Sequence, residues 1–114
     1  MRVVITGISS YLASELYPFL ENDDDIEEVL GIDVIKPSLR SNKLKFIQKD
    51  VRDPSIKNQL NGYDAIVHLA FIVSPLKNEK EMYSINIEGS KNIFKCAIEA
   101  GINKIVHASS VAAY

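Results

Sequence analysis

The sequence has one cysteine, Cys96, and no tryptophan among its 114 residues. A single cysteine excludes an intramolecular disulfide, so the fold must depend on an apolar core, and a reducing, cytoplasmic location is expected. Lysine and arginine form no cluster and the formal net charge is −2, which argues against nucleic acid or an anionic membrane as a partner. No apolar run is long enough for a membrane span, and Gly7 interrupts the first run too early for a secretory signal.

Short runs rich in β-branched residues alternate with segments of helical spacing. The runs cover residues 3–6, 29–33, 43–47, 65–70 and 104–108. Near-continuous apolar runs are typical of parallel strands buried on both faces, and helices between them imply right-handed crossovers. The sequence therefore predicts one α/β domain over residues 1–114. It is a Rossmann-type, doubly wound and incomplete parallel sheet of five strands in the order 3-2-1-4-5.

The first predicted helix begins near Ser10. Its apolar residues recur at intervals of three and four, which indicates one buried face. That face is predicted to comprise Leu12, Leu16, Phe19 and Leu20. Pro18 lies inside the helix and removes one hydrogen bond, so a bend or an early end is expected there.

Two further helices are predicted. Asp53 is a typical N-cap for the second, which ends near Gly62. The third spans residues 79–100, and Gly89 on its apolar face indicates the close approach of another backbone. Residues 34–42 are too few and too polar for a helix.

The turn after the first strand has features of a phosphate-binding loop. Residues 6–13 read Thr-Gly-Ile-Ser-Ser-Tyr-Leu-Ala. Gly7 permits a tight turn, and the following helix start directs backbone N–H groups and its positive dipole end toward a pyrophosphate. The side chain of Ser10 narrows the space through which a phosphate approaches the backbone of the turn. Its hydroxyl can nevertheless donate to a phosphate or cap the helix. A Ser-capped helix without a ligand is the alternative.

Asp33 ends the second predicted strand. A carboxylate at this position accepts both hydroxyls of an adenosine ribose and repels a 2′-phosphate, which favours NAD over NADP. A solvated acid at a strand end is the alternative, but the turn upstream favours the ribose interpretation.

Five motifs, in order, resemble those of the extended short-chain dehydrogenase/reductase family, which includes nucleotide-sugar epimerases and dehydratases. They lie at residues 6–13, 50–53 (Asp-Val-Arg-Asp), 68–71 (His-Leu-Ala-Phe), 86–92 (Asn-Ile-Glu-Gly-Ser-Lys-Asn) and 104–114. The resemblance implies NAD as the cofactor and Ser110, four residues before Tyr114, as the catalytic serine. The implied cofactor-binding residues are Gly7, Ser10, Tyr11, Leu12, Asp33, Asp50, Val51, Leu69, Ala70, Phe71, Asn86 and Ser109.

Individual residues of these motifs carry different expectations. Asp50 and the following backbone amide resemble the pair that holds the adenine, whereas Asp53 is explained as a helix cap. Asn86 lies near the nicotinamide in the family, or it pins two backbones together. His68 and His107 lie in apolar strands and are expected to be core or edge histidines with satisfied hydrogen bonds.

Hydride-transfer enzymes of this family use a Tyr-x-x-x-Lys pair for proton transfer. No tyrosine of this sequence has a lysine four positions later. We therefore expect that this chain alone has no enzymatic turnover. We expect it to be the N-terminal, NAD-binding portion of an epimerase/dehydratase-like oxidoreductase or isomerase. A non-catalytic nucleotide-sensing or protein-interaction module is the alternative. An exposed sheet edge and the apolar 79–100 helix predict a homo-oligomer.

Overall fold

A computed structural model describes residues 1–70 and 79–107. Its sheet contains β1 (Arg2–Thr6), β2 (Glu28–Asp33), β3 (Leu44–Gln48), β4 (Ala65–His68) and β5 (Lys104–His107). The order is β3-β2-β1-β4-β5 and every neighbouring pair is parallel. The Rossmann-type fold and the strand order predicted from the sequence are confirmed.

The helical elements are α1 (Tyr11–Glu21), a 3₁₀ helix (Pro54–Gln59), α2 (Glu79–Tyr83), a π-helical segment (Ser84–Glu88) and α3 (Gly89–Glu99). The last three follow one another without a break, so the predicted helix over 79–100 exists, with a π-helical segment that the sequence did not indicate. The second predicted helix is a tight 3₁₀ helix, because its few residues lie between the Asp53 cap and a turn at Gly62. Residues 34–42 form no helix, as expected.

The sheet carries a core on each face, because successive strand residues point to opposite sides. Val3 and Ile5 face α1, whereas Val4 faces α3 and the 3₁₀ helix. The α1 side contains Val3, Ile5, Ile8, Ala13, Tyr17, Ile26, Val29 and Leu69. The α3 side contains Val4, Leu30, Ile32, Val51, Ile56, Leu60, Ile66, Ile93, Cys96, Ala97 and Ile102.

The buried face of α1 differs from the prediction at two positions. Leu12 is 50% exposed and Phe19 is 76% exposed. The residues that face the core are Ala13, Leu16, Tyr17 and Leu20. The Ser10 cap sets the helix so that Ala13 packs against the sheet, which rotates the buried face by one residue.

The expected early end at Pro18 is also wrong, because α1 continues to Glu21. Pro18 lies on the exposed side of the helix. Water can therefore satisfy the carbonyl that loses its helical partner there.

Within residues 1–70 and 79–107, no helix combines the length and the apolar character that a bilayer crossing requires.

Candidate nucleotide site at the carboxyl edge of the sheet

The candidate site lies where the strand order reverses around β1. β2 and β3 lie on one side of β1, and β4 and β5 lie on the other. Open α/β sheets bind ligands in the crevice outside the carboxyl ends of their strands at such a point. The turn after β1, the last residue of β2 and the residues after β4 all reach this edge.

Gly7 begins the turn after β1 and is in contact with the end of β4. Its φ is 72°, and its N–H donates to the Ile32 carbonyl at 2.8 Å. A Cβ on Gly7 would lie 2.8 Å from the backbone N of Ala70, which is shorter than any allowed contact. Glycine is therefore required both by the turn conformation and by the neighbouring backbone.

Ser10 caps α1, since its Oγ accepts a hydrogen bond from the Ala13 N–H at 3.2 Å. The next two backbone N–H groups, on Tyr11 and Leu12, have no acceptor in the part of the chain that the structure describes. A hydroxyl that accepts from a cap still carries a hydrogen to donate. The cap predicted as an alternative is thus present, together with two outward donors at the helix start.

The Asp33 carboxylate accepts only backbone hydrogen bonds among the described residues. Its Oδ2 accepts from Ser9 N–H at 3.0 Å, and its Oδ1 accepts from Val34 N–H at 2.7 Å and Ile35 N–H at 3.3 Å. The hydroxyl of Ser9 donates to the Ile35 carbonyl. Asp33 therefore joins the turn to the end of β2 and presents its carboxylate at the crevice.

Asp50 follows β3 and forms a fork with Arg52. Its Oδ1 accepts from Arg52 Nε at 2.9 Å and its Oδ2 accepts from Arg52 Nη2 at 2.6 Å. Hydrogen bonding to this guanidinium holds the pKa of Asp50 below its usual value. Asp53 instead caps the 3₁₀ helix by accepting from Ser55 N–H at 2.8 Å, as predicted.

The loop between Asp50 and Asp53 docks on α3. Asn92 Nδ2 donates to the Val51 carbonyl at 2.8 Å and to the Asp53 carbonyl at 2.9 Å. A Cβ on Gly89 would lie 2.5 Å from Val51 Cγ2. The close neighbour of Gly89 is therefore a side chain, and the backbone contact expected from the sequence is wrong.

His68 links β1, β4 and the helix over 79–99. Thr6 Oγ1 accepts from the N–H groups of Leu69 and Ala70 at 3.1 and 3.2 Å, so its hydroxyl hydrogen goes to His68 Nδ1 at 2.6 Å. His68 Nε2 then carries the proton and donates to Ser90 Oγ at 2.9 Å, and Ser90 donates to the Asn86 carbonyl at 2.6 Å.

This chain of hydrogen bonds fixes one neutral tautomer of His68. Burial, and to a lesser extent the charge of His107, lowers the pKa of His68 to about 4. His68 is therefore a satisfied core histidine, as predicted, whereas His107 stacks on it from an exposed position with ring centroids 5.2 Å apart.

A cavity of about 310 Å³ lies between the ends of β2 and β3. It is lined by Asp33, Val34, Lys49, Asp50, Val51, Arg52, Ala70, Glu81 and Ile85. Four of the residues predicted to bind the cofactor therefore line the same cavity, namely Asp33, Asp50, Val51 and Ala70. The backbone N–H of Val51, a residue that lines this cavity, donates to no acceptor within the described ranges.

The remaining predicted residues have three different outcomes. Leu69 is buried beneath the turn. Asn86 lies in the π-helical segment beside a separate surface hollow with Met82 and Tyr83. Phe71, Ser109 and Ser110 lie outside the described residues.

Sequence reasoning gave no role to Arg52 or Glu81, whose side chains meet at the cavity with Arg52 Nη2 3.0 Å from Glu81 Oε1. Nothing local in the sequence connects these residues, since the contact spans two elements. Among residues 1–70 and 79–107, no group of three or more histidine, cysteine, aspartate or glutamate side chains could hold a metal ion.

Comparisons with known proteins show the family of the chain and agree with its fold. A model of the NAD dependent epimerase/dehydratase family matches residues 3–114. An uncharacterized protein, 052L, of Frog virus 3 (isolate Goorha) is 30% identical over 118 residues, which cover 97% of this chain and 33% of the viral protein.

Two solved structures are similar in fold and above 25% in sequence identity. A mutant uronate dehydrogenase from Agrobacterium tumefaciens complexed with NAD has a TM-score of 0.81 and 27% identity, covering 96% of this chain and 40% of that chain. The dTDP-glucose 4,6-dehydratase DesIV from Streptomyces venezuelae, with NAD and TYD bound, has a TM-score of 0.79 and 26% identity, covering 94% and 38%. The chain thus spans two fifths or less of the length of these relatives.

Proposed function

Because the chain belongs to the NAD dependent epimerase/dehydratase family, we propose that residues 1–114 form its NAD-binding domain. The observation that carries this proposal is the set of open donors and acceptors at the carboxyl edge of the sheet. The N–H groups of Tyr11, Leu12 and Val51 have no acceptor within the described residues. The carboxylates of Asp33 and Asp50 lie on one 310 Å³ cavity.

Each part of the dinucleotide has a matching group in this arrangement. The N–H groups of Tyr11 and Leu12, at the positive end of α1, hold the pyrophosphate, and the Ser10 hydroxyl donates to it. Asp33 accepts the ribose hydroxyls, which favours NAD over NADP. Asp50 and the Val51 N–H hold the adenine.

The close packing of Gly7 on Ala70 brings the turn to the end of β4, where the backbone of Leu69 and Ala70 lines the path of the cofactor. The family resemblance implies the same role for Phe71, which lies outside the described residues. Asn86 and Ser109 are proposed to lie near the nicotinamide, with Ser110 orienting the substrate oxygen. When bound, the nicotinamide supplies a hydride acceptor.

We propose that the whole protein is an oxidoreductase or isomerase that acts on a nucleotide sugar or a similar small molecule. A uronate dehydrogenase and a dTDP-glucose dehydratase among the similar structures support this substrate class. The 114 residues contain no Tyr-x-x-x-Lys pair, so the chain by itself is expected to bind NAD without turnover.

Self-association in the cytoplasm is part of the proposal. The helix over 79–99 exposes Tyr83 (60%) and Ile98 (73%), and β5 exposes Val106 (60%). Apolar surface of this kind is a common feature of protein interfaces. Light scattering across a wide concentration range is expected to show a dimer or larger species, and a monomer throughout would contradict this part.

Calorimetric titration with NAD tests the cofactor site. The unaltered chain is expected to release heat on binding. Asp33→Ala is expected to weaken binding about 10–100-fold, because hydrogen bonds to a charged acceptor are lost. Asp24→Ala, in an exposed loop, is the matched control and should bind as the unaltered chain does. An absence of heat with the unaltered chain would contradict the proposal.

A further inference from the structure

We infer that Arg52 determines which purine the cavity accepts, by fixing the Asp50 carboxylate with one acceptor position open to the base. The inference rests on the proposed NAD site and assigns a positioning role to Arg52, which lines the same cavity. The class of base is a 6-aminopurine, such as adenine, in preference to a 6-oxopurine, such as hypoxanthine.

The guanidinium of Arg52 donates hydrogen bonds to residues on both sides of the cavity. On one side, the Asp50 carboxylate accepts hydrogen bonds from Arg52 Nε and Nη2. The other side is the helix over 79–99, where Nη2 donates to Glu81 at 3.0 Å and Nη1 donates to Ser84 Oγ at 3.1 Å. Four of the five guanidinium N–H positions are thus used, so the planar group has a single orientation.

The hydrogen bonds from Arg52 leave one lone-pair position of the Asp50 carboxylate unused. A carboxylate has about four lone-pair positions. Oδ1 accepts from the backbone N–H and from Nε of Arg52, and Oδ2 accepts from Nη2. One position, on Oδ2, has no donor among residues 1–70 and 79–107, and this position accepts a single N–H from a ligand.

The open position of Asp50 works together with the open N–H of Val51. An adenine edge presents an amino donor beside a ring nitrogen acceptor, which matches an acceptor beside a donor. A hypoxanthine edge presents the reverse order, so a carbonyl oxygen would face the fixed carboxylate and a ring N–H would face the Val51 N–H. A mismatch of this kind is rejected more strongly when the carboxylate cannot rotate away from the carbonyl oxygen of the base.

An ordinary surface ion pair is the alternative explanation for Arg52. Its side chain is 31% exposed and that of Asp50 is 35% exposed, and pairs of this type contribute little to stability. The loop does not need Arg52 to hold its position, because Asn92 binds the carbonyls of Val51 and Asp53 and Gly89 receives the Val51 side chain. The fork therefore orients Asp50 more than it stabilises the fold.

The test is Arg52→Lys, which keeps the charge and removes the planar fork. Dissociation constants are measured by calorimetry for NAD and for nicotinamide hypoxanthine dinucleotide. The unaltered chain is expected to prefer NAD about tenfold or more, and the variant is expected to discriminate less than about threefold. Arg2→Lys is the matched control, because Arg2 pairs with a carboxylate at the opposite end of the sheet, and its ratio should equal that of the unaltered chain.

Ser84→Ala removes the Nη1 acceptor without touching Asp50 and serves as the second variant. It is expected to lower the ratio of the two dissociation constants about twofold. Melting curves confirm that each variant is folded. Unchanged ratios in both variants would overturn the inference and leave the NAD site standing, whereas no NAD binding by the unaltered chain would overturn both.

Discussion

Strand β2 carries a carboxylate at each end, and the two have different surroundings. Glu28 lies at the amino end, where its carboxylate pairs with Arg2 Nη2 at 2.8 Å and with Lys45 Nζ at 2.9 Å. It also accepts a hydrogen bond from the hydroxyl of Tyr63. Hydrogen bonding to Tyr63 and Lys45 lowers the pKa of Glu28 to about 2. Asp33, at the carboxyl end, accepts only backbone N–H groups within the described ranges.

The difference separates a stabilising network from the proposed binding site. At the amino edge, the charged groups satisfy one another and Arg2 lies 4.9 Å from the centre of the Tyr63 ring. At the carboxyl edge, the N–H groups of Tyr11, Leu12 and Val51 have no acceptor among residues 1–70 and 79–107. Open polar groups lie at the edge of the sheet where a ligand could satisfy them.

The largest expected effect comes from Gly7→Ala at the carboxyl edge. The added Cβ would require a left-handed backbone for a residue with a side chain and would lie 2.8 Å from Ala70 N. The expected loss is about 3 kcal/mol in the free energy of unfolding, measured by chemical denaturation.

Gly101→Ala is the matched control for that change. Gly101 has a φ of 78° and nothing within 4 Å of an added Cβ. Its loss should be about 1 kcal/mol, from the backbone conformation alone. Equal losses at both glycines would show that packing of the turn on β4 is unimportant.

His68 is expected to make stability depend on pH at the same edge. Its pKa falls from 6.5 to about 4 on folding, so the unfolded chain binds this proton first as the pH falls. The free energy of unfolding should therefore drop by about 2 kcal/mol between pH 6.5 and pH 4.

Two variants distinguish the contribution of His68 to the pH dependence of stability from that of His107. His68→Gln should lose this part of the pH dependence, whereas His107→Gln should keep it, because burial is the larger cause of the shift. Nitrogen chemical shifts should show the proton on Nε2 of His68. A proton on Nδ1 would contradict the hydrogen-bond chain through Thr6 and Ser90.

Glu28→Gln tests the closed network at the other end of β2. Loss of charged hydrogen bonds to Arg2, Lys45 and Tyr63 should cost about 1.5 kcal/mol at pH 7. Because folding lowers the pKa of Glu28 from 4.5 to about 2, its stabilisation is complete above pH 4.5 and is lost as the pH falls toward 2. The variant should lack that acid dependence and titrate NAD as the unaltered chain does, so weakened NAD binding would contradict the separation of the two edges.

The smallest expected effect is that of Ser10→Gly. Glycine at this cap costs only a few tenths of a kcal/mol, and the missing Cβ widens the approach of a phosphate. NAD affinity should change by less than about threefold, because the wider approach of the phosphate offsets the loss of the hydrogen bond that the Ser10 hydroxyl is proposed to donate. Tighter binding by Ser10→Ala, which removes the hydroxyl and keeps the Cβ, would contradict this reasoning.

The fold could be predicted because its signals are local. β-branched runs, the Ser10 and Asp53 caps and the strand–helix alternation each depend on a few neighbouring residues, and they agree with one another. The family resemblance is confirmed by the match over residues 3–114. The buried face of α1 was misassigned because periodicity places a face on a helix only to within about one residue.

Within the candidate site, the positions of residues could be predicted where backbone geometry determines them, whereas contacts between distant side chains could not. The positions of Gly7, Ser10 and Asp33 follow from the order of strand, turn and helix. The contact of Arg52 with Glu81 and the chain from Thr6 through His68 to Ser90 join residues far apart in sequence. No short pattern encodes such contacts, because packing of one element on another creates them.

The most direct measurement is the change in backbone amide chemical shifts during an NAD titration of the labelled chain. The amides of Tyr11, Leu12 and Val51 should shift together with that of Asp33, while those of Arg2, Glu28 and Tyr63 remain unchanged. Shifts confined to the amino edge, or none at either edge at millimolar NAD, would contradict the assignment of the carboxyl edge as the nucleotide site.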